Sequence, residues 1–261
     1  KTVWITGASS GIGEALSLEA VKKGAHVILS ARNISRLEDL KQRLEKISRG
    51  SATLMPMDVT KKEDILKNVE MIANMHLRVD ILINNAGIAW YGYFHTMPWD
   101  VAGSILHLNI EASTHLVNLF LPWMVQQHYG RVINIGSIAG KLPEQGIAVY
   151  SASKSFLDSF STVVYRELRG TGVTSSIIRA GPVKTEFFDV ARNQENGGSV
   201  PAERFAVGAD RVAAAILSMV KRPLRVKYVP FYMVFSPLLE FFFSWIIDLV
   251  GPLLLRKEKP H

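Results

Sequence analysis

Residues 2–6, Thr-Val-Trp-Ile-Thr, run directly into Gly7-Ala8-Ser9-Ser10-Gly11-Ile12-Gly13, and a helix-patterned stretch follows to residue 23. A short buried strand, a glycine-rich turn and a helix in that order constrain the fold more than any other part of the chain. Such a unit aims free backbone N–H groups and the positive end of a helix at a phosphate-sized cleft. Gly7 permits the tight turn, Gly11 lets a pyrophosphate approach the backbone, and Gly13 lets the helix pack closely on the sheet. A purely structural glycine turn is the competing reading, and the rest of the chain must decide between them.

The rest alternates. Strands are expected at 2–6, 26–31, 52–57, 80–84, 131–136 and 174–179, with a shorter one near 226–229. Helices are expected at 12–23, 34–48, 61–75, 99–127, 149–169 and 208–220. Apolar strands alternating with helices imply an α/β fold, a doubly wound parallel sheet covered on both faces. Ligands then sit at the carboxyl ends of the strands, near the switch point. The 261 residues suffice for one such domain, and no Pro- or Ser-rich linker or internal repeat divides them. Residues 1–225 are assigned to that domain and 226–261 to a hydrophobic C-terminal extension.

Tyr150 and Lys154 are four apart and share one face of the helix expected at 149–169. A cation there favours the phenolate and is expected to lower the Tyr150 pKa from about 10 toward neutrality. A hydroxyl such as Ser137 can hold a substrate oxygen beside that phenol. These are the parts of an acid–base apparatus for a carbonyl or an alcohol. A Tyr-x-x-x-Lys spacing alone arises by chance in many helices, but here it follows a nucleotide-type turn.

Several motifs in order resemble the short-chain dehydrogenase/reductase family. They are the turn from Thr6 to Gly13, the tetrapeptide Asn84-Asn85-Ala86-Gly87, Asn109 within Leu108-Asn109-Ile110, Ser137, and Tyr150-Ser151-Ala152-Ser153-Lys154. The resemblance runs from around residue 2 to around residue 220. It implies a Rossmann fold, a nicotinamide dinucleotide, and a reaction between a small-molecule carbonyl and its alcohol. Tyr150 would protonate the oxygen that Ser137 holds, and Lys154 would depress the phenol pKa and bind the nicotinamide ribose. Asn109 would anchor a water linking Lys154 to solvent. The resemblance also implies cofactor contacts from Ser9, Ser10, Ile12, Asn85, Ala86 and Gly87. It places Asp58 and Val59 at the adenine, and Gly181, Val183 and Thr185 beside the nicotinamide. One departure is Ala180, where the family usually has Pro before Gly181, with some loss of rigidity. The rival class is a catalytically idle dinucleotide-binding sensor or scaffold, which would have no need of Tyr150 and Lys154 together.

Charge bears on the choice of cofactor. The second strand ends Ser30-Ala31-Arg32-Asn33, with Ala31 where members of the family that prefer NAD usually carry an acid. A carboxylate there would bind a ribose and repel a 2′-phosphate, whereas the Arg32 guanidinium suits a phosphate. NADP(H) is therefore expected over NAD(H). The sequence has no cysteine, which excludes disulfides and thiolate metal sites, and its seven histidines show no ligand spacing, so no metal is expected. The +7 net charge forms no dense stripe with interleaved aromatics, so no nucleic-acid partner is expected.

For substrate, Ala139, Leu142, Gln145, Val149, Pro182 and Phe187 are expected to line an apolar pocket. Trp90, Tyr91 and Tyr93 are placed at its rim, under a lid at 186–205. A homodimer or homotetramer is expected through the helices at 99–127 and 149–169. Leu116, Phe120, Leu157, Phe160, Val164 and Leu168 there exceed what one face can bury. The tail from 226 to 255 is dense in Phe and Trp but broken by Pro230, Pro237 and Pro252 and by Lys227, Glu240 and Asp248, so a clean membrane span is not expected. Its flanks carry Lys221, Arg222, Arg225, Lys227, Arg256, Lys257 and Lys259, which against Glu240, Asp248 and Glu258 leave +4 of the chain's +7. Pocket cover, subunit contact and peripheral membrane contact are its three readings. The expected location is cytoplasmic, with membrane association resting on the tail. The chain enters its first strand at Lys1 without a methionine, so residues or an anchor are expected to have preceded it.

Overall fold

The structure is a computed structural model and describes residues 1–198 and 201–254. Its strands are β1 (Thr2–Thr6), β2 (His26–Ser30), β3 (Ala52–Leu54), β4 (Ile81–Asn84), β5 (Gly130–Ser137) and β6 (Val173–Ala180), then the short β7 (Val183–Lys184) and β8 (Val207–Gly208), and β9 (Val226–Val229). Seven of them form a parallel sheet in the order β3-β2-β1-β4-β5-β6-β9, while β7 and β8 pair separately. The order reverses between β1 and β4, where a doubly wound sheet opens its ligand crevice. All the strands expected from the sequence are present. β3 is shorter than expected, because the chain leaves the sheet at Leu54.

The main helices are α1 (Gly11–Lys22), α2 (Ile34–Ile47), α3 (Lys62–Asn74), α4 (Trp99–Leu106), α5 (Ser113–Gln126), α6 (Ala148–Glu167), α7 (Phe187–Arg192), α8 (Ala209–Lys221) and α9 (Ser236–Leu254). Successive strand residues point to opposite faces, so both faces must be apolar. Val3 and Ile5 of β1 join a core with α1, α2 and α8. Trp4 joins the opposite core with α3, α5 and α6, meeting Phe120 edge-on at 4.9 Å between ring centroids. The Trp4 indole N–H donates to Ser30 Oγ at 2.8 Å, so its one polar atom is satisfied in the interior.

Two elements differ from expectation. The helix expected over 99–127 is three pieces, because residues His107–Ala112 form a π-helical turn between α4 and α5. The proline-broken tail is helical over Ser236–Leu254, bent at Phe243, whose φ of −129° leaves the helical region. Pro237 falls in the first turn, where no intrahelical N–H is needed. The segment Phe231–Val250 is by length and composition able to span a membrane.

Of the six apolar residues assigned to a subunit contact, five are core and Phe160 is half-buried against it. Leu116, Phe120, Leu157, Val164 and Leu168 are buried within the chain. The exposed large apolar side chains on these helices are Trp99, Leu106, Trp123, Phe156 and Val163.

Candidate active site

The carboxyl ends of β1, β2, β4, β5 and β6 surround a cavity of about 1030 Å³. At one end the glycine turn forms a cradle with little room to spare. Gly7 and Gly11 have φ of +63° and +55°, which glycine adopts freely. A Cβ at Gly13 would lie 2.2 Å from the Gly7 carbonyl oxygen, so close packing of α1 under the turn requires glycine. A Cβ at Gly11 would meet Thr185 Cγ2 at 2.8 Å, which joins the turn to the segment after β7. Ser9, Ser10 and Ile12 line the cavity beside these glycines.

Asn85 braces that turn from below. Its Nδ2 donates to the carbonyls of Thr6 and Gly7 at 3.1 and 3.0 Å, and Thr6 Oγ1 accepts from the Asn85 and Ala86 N–H groups. The Asn85 amide therefore supports the cradle, while Ala86 and Gly87 continue along the cavity wall.

Toward the edge of the sheet, Ala31 is buried at the end of β2, and Arg32 and Asn33 line the cavity beside Asp58 and Val59. Burial pushes the Asp58 carboxyl up, but hydrogen bonds from the Thr60 N–H and hydroxyl and the charge of Arg32 hold it below its ordinary value. Arg36 forms an ion pair with Glu186 at 2.5 Å, joining the start of α2 to the far side of the cleft. No motif in the sequence signals that pair, because Glu186 is 150 residues away.

The reacting end is built from β5 and α6. Ser137 closes β5, and its Oγ accepts from the Ala139 N–H at 3.1 Å, fixing the hydroxyl in the turn that follows. That hydroxyl shares a hydrogen bond with the Tyr150 phenol. Lys154, one turn on, is buried, and its Nζ donates to the Ile135 carbonyl at 2.9 Å and lies 5.6 Å from the Tyr150 ring centroid. Burial pushes the Tyr150 phenol up to about 12, against the lowering expected from the sequence, and only Ser137 works the other way. Lys154 is desolvated as well, and its own burial brings it down to about 8.

Asn109 is fully buried in the π-helical turn. Its Oδ1 accepts from the Ile88 N–H at 3.0 Å, and its Nδ2 donates to the Ile88 carbonyl and to Ser153 Oγ at 2.9 and 3.0 Å. The amide thus ties the segment after β4 to α6. Gly181, Val183 and Thr185 line the opposite wall, with Gly181 N–H bonded to the Val229 carbonyl at 2.8 Å, so Ala180 stays in register without proline.

Of the expected pocket residues, Ala139, Leu142, Gln145, Pro182, Phe187 and Tyr91 line the cavity. Val149, Trp90 and Tyr93 do not. Val149 faces a shallow depression with Phe94 and Trp99, because α6 begins at Ala148 and turns that side chain away. Trp90 is buried, and its indole N–H donates to the Glu195 carbonyl at 2.9 Å. Gln194 Nε2 donates to the Ala89 carbonyl and the Gly198 N–H to the Tyr91 carbonyl, so the lid segment is pinned over the site. Ser199 and Val200 of that lid lie outside the described residues. The tail contributes Tyr232, Met233, Leu239, Ile246, Ile247 and Val250 to the cavity wall, which its apolar character alone does not reveal.

Comparison with known proteins agrees with this geometry. A family model described as short chain dehydrogenase matches residues 1–196. The chain is 30% identical over 226 residues to an uncharacterized oxidoreductase of Staphylococcus saprophyticus, covering 85% of this chain and 91% of that one. It is 31% identical over 219 residues to the 3-oxoacyl-[acyl-carrier-protein] reductase FabG of Haemophilus influenzae, covering 83% and 88%. A short-chain dehydrogenase from Sphingobium yanoikuyae in complex with NADPH superposes with a TM-score of 0.80 at 28% identity, covering 100% of this chain and 98% of that one.

Proposed function

The chain belongs to the short-chain dehydrogenase family, and from that premise we propose that it is an NADP(H)-dependent oxidoreductase interconverting a hydrophobic carbonyl compound and its alcohol. The observation that carries the reading is one continuous cavity, which runs from the glycine cradle past Ser137, Tyr150 and Lys154 to an apolar wall. The cradle has the glycines that a pyrophosphate needs and a guanidinium where a 2′-phosphate would lie. A relative named for 3-oxoacyl reduction and a structural neighbour holding NADPH support the same choice.

Bound NADPH supplies the hydride. Ser137 Oγ orients the substrate oxygen, and the Tyr150 phenol, held protonated by its burial, donates to that oxygen as the alcohol forms. Lys154 Nζ, brought down to about 8, can exchange a proton close to neutral pH and so restore the phenol. The Asn109 amide is committed to Ile88 and Ser153, so we assign it the aim of α6; a water at this point would use the backbone of the π turn. Leu142, Phe187, Phe188 and the tail residues favour an apolar substrate body.

We also propose a homodimer or homotetramer, supported by exposed Phe156 and Val163 on α6 and Trp123 on α5. The test of function is NADPH oxidation against a panel of ketones and aldehydes, with Tyr150→Phe as control. Loss of the acid should lower turnover by about a hundred- to ten-thousand-fold while NADPH binding persists. A Phe variant that keeps a tenth of the activity, or a wild type idle on the whole panel, would refute the reading.

A further inference from the structure

Exposed apolar surface is concentrated on one segment. Of the 26 large hydrophobic side chains exposed among the described residues, twelve lie between Phe231 and Val250. Phe231, Phe241, Trp245 and Leu249 are 78%, 77%, 65% and 71% exposed. Apolar patches of this density mark a surface that is covered by something.

Four of these twelve, Tyr232, Leu239, Ile246 and Val250, also line the cavity, so the segment closes it on one side and leaves the other eight facing outward. Tyr232 and Met233 at its beginning and Val250 at its end all line it, as do Leu239 and Ile246 between them. Because both ends touch one cavity, the segment lies along the molecule, across the mouth. It does not project from the surface as a spanning helix would, although its length and composition would allow one. Gln145 Nε2 donates to the Ile247 carbonyl at 3.4 Å and ties the second half of α9 to the segment between β5 and α6.

Charge decides what covers it. Lys221, Arg222 and Arg225 are exposed just before the segment, and Arg256, Lys257 and Lys259 follow it in the sequence, outside the described residues. A second copy of the chain brought to this face would set cationic flanks against cationic flanks. A bilayer with anionic headgroups complements both the apolar face and its flanks.

We propose that residues 231–250 lie in the plane of an anionic membrane surface, so that the cavity mouth opens onto the bilayer. The substrate is then a membrane-partitioned carbonyl compound or alcohol that enters from the lipid. This rests, for the substrate, on the catalytic reading above; the vesicle binding does not.

The protein is sedimented with phosphatidylcholine vesicles and with vesicles of phosphatidylcholine and phosphatidylglycerol in equal parts. Binding to the anionic vesicles is expected, weakening as salt rises. Combining Phe241→Ser, Phe242→Ser and Trp245→Ser should lower the partition coefficient at least about a hundredfold. None of the three lines the cavity, so NADPH titration should be unchanged and reports an intact fold. NADPH oxidation with long-chain methyl ketones carried in the vesicles should fall at least about tenfold in the variant, with equal rates when the ketone is in detergent micelles. Absent vesicle binding, or binding unchanged in the variant, overturns the proposal. A mass that drops from dimer to monomer in the variant, without vesicle binding, assigns the face to a second copy. Equal rates on vesicle-borne ketone overturn the entry route. Vesicle binding without turnover of any ketone overturns the substrate class and the catalytic reading together, whereas turnover without binding overturns the membrane contact alone.

Discussion

Lys154 is held where its charge is poorly solvated, and replacing it should make the protein more stable while destroying its activity. Its pKa falls from 10.5 to about 8 through burial. A pKa change of one corresponds to about 1.4 kcal/mol, so keeping the ammonium charged in the cofactor-free fold near neutral pH costs about 3 kcal/mol. Lys154→Met fills similar volume without a charge. It forfeits the bond from Nζ to the Ile135 carbonyl, worth about 1 kcal/mol. The net expectation is a gain of about 2 kcal/mol, or a Tm higher by roughly 4–8 °C for a chain of this size. The pH dependence has a definite sign. A cation whose folded pKa is depressed binds fewer protons folded than unfolded, so wild-type stability rises as pH rises from about 8 through 10.5. The advantage of the Met variant should therefore be full at neutral pH and shrink over that window. Thermal unfolding of both proteins without cofactor, at several pH values, measures it. A Met variant less stable near pH 7, or an advantage that does not shrink with pH, would refute the electrostatic argument.

Arg32→Ala should weaken NADPH by about 1–3 kcal/mol, the size of a lost charge-assisted contact, while sparing NADH; equal losses in parallel titrations would remove the basis for the cofactor preference. Asp158 lies one turn beyond Lys154 and accepts from Arg179 Nε and Nη2 at 2.6 and 2.8 Å and from Lys141 at 2.7 Å. Asp158→Ala should destabilise by about 3 kcal/mol, because it leaves the largely buried Arg179 without its anion, and denaturant titration would show it. Gly13→Ala drives a methyl into backbone and should cost about 1–3 kcal/mol together with most NADPH affinity; retained affinity would show that the turn can relax. Val163→Glu on the exposed side of α6 should lower the mass seen by light scattering, and a monomeric wild type at micromolar concentration would refute the oligomer.

The strand–turn–helix unit is legible because each of its parts has its own residue code: apolar Val3, Trp4 and Ile5, then Gly7, Gly11 and Gly13. The spacing of Tyr150 and Lys154 is legible because both sit on one helix whose period is fixed. The Tyr150 pKa is not, since the sequence shows the neighbouring cation but not how deeply both groups are desolvated. Leu116, Phe120, Leu157, Val164 and Leu168 point to the wrong surface because an apolar count gives how much must be buried, not against what. All five are buried inside the chain. Val149 misleads for a directional reason, since moving the start of α6 by one residue turns a side chain about 100° away, and Trp90 because its bond to the Glu195 carbonyl joins residues 105 apart in the sequence. The π-helical turn has no residue signature at all. Pro237 reads as a breaker because the sequence does not show that a helix begins at Ser236.

That π turn has an arithmetical consequence. It spends one more residue per turn than an α-helix, and so shifts the phase of everything after it by about 100°. Asn109 faces Ile88 and Ser153 on one side of the turn, while Leu116 and Phe120 reach the core beyond it. In an unbroken α-helix Leu116 and Phe120, seven and eleven residues on, would fall within about 20° of the face of Asn109, and the π turn moves them off that face toward the core. Deleting one residue between His107 and Ala112 would regularise the hydrogen-bond ladder locally. It would also force a choice between the aim of α6 and the packing of α5. An irregularity that looks like a local defect is thus the phase correction that lets one long helix answer to two different neighbours.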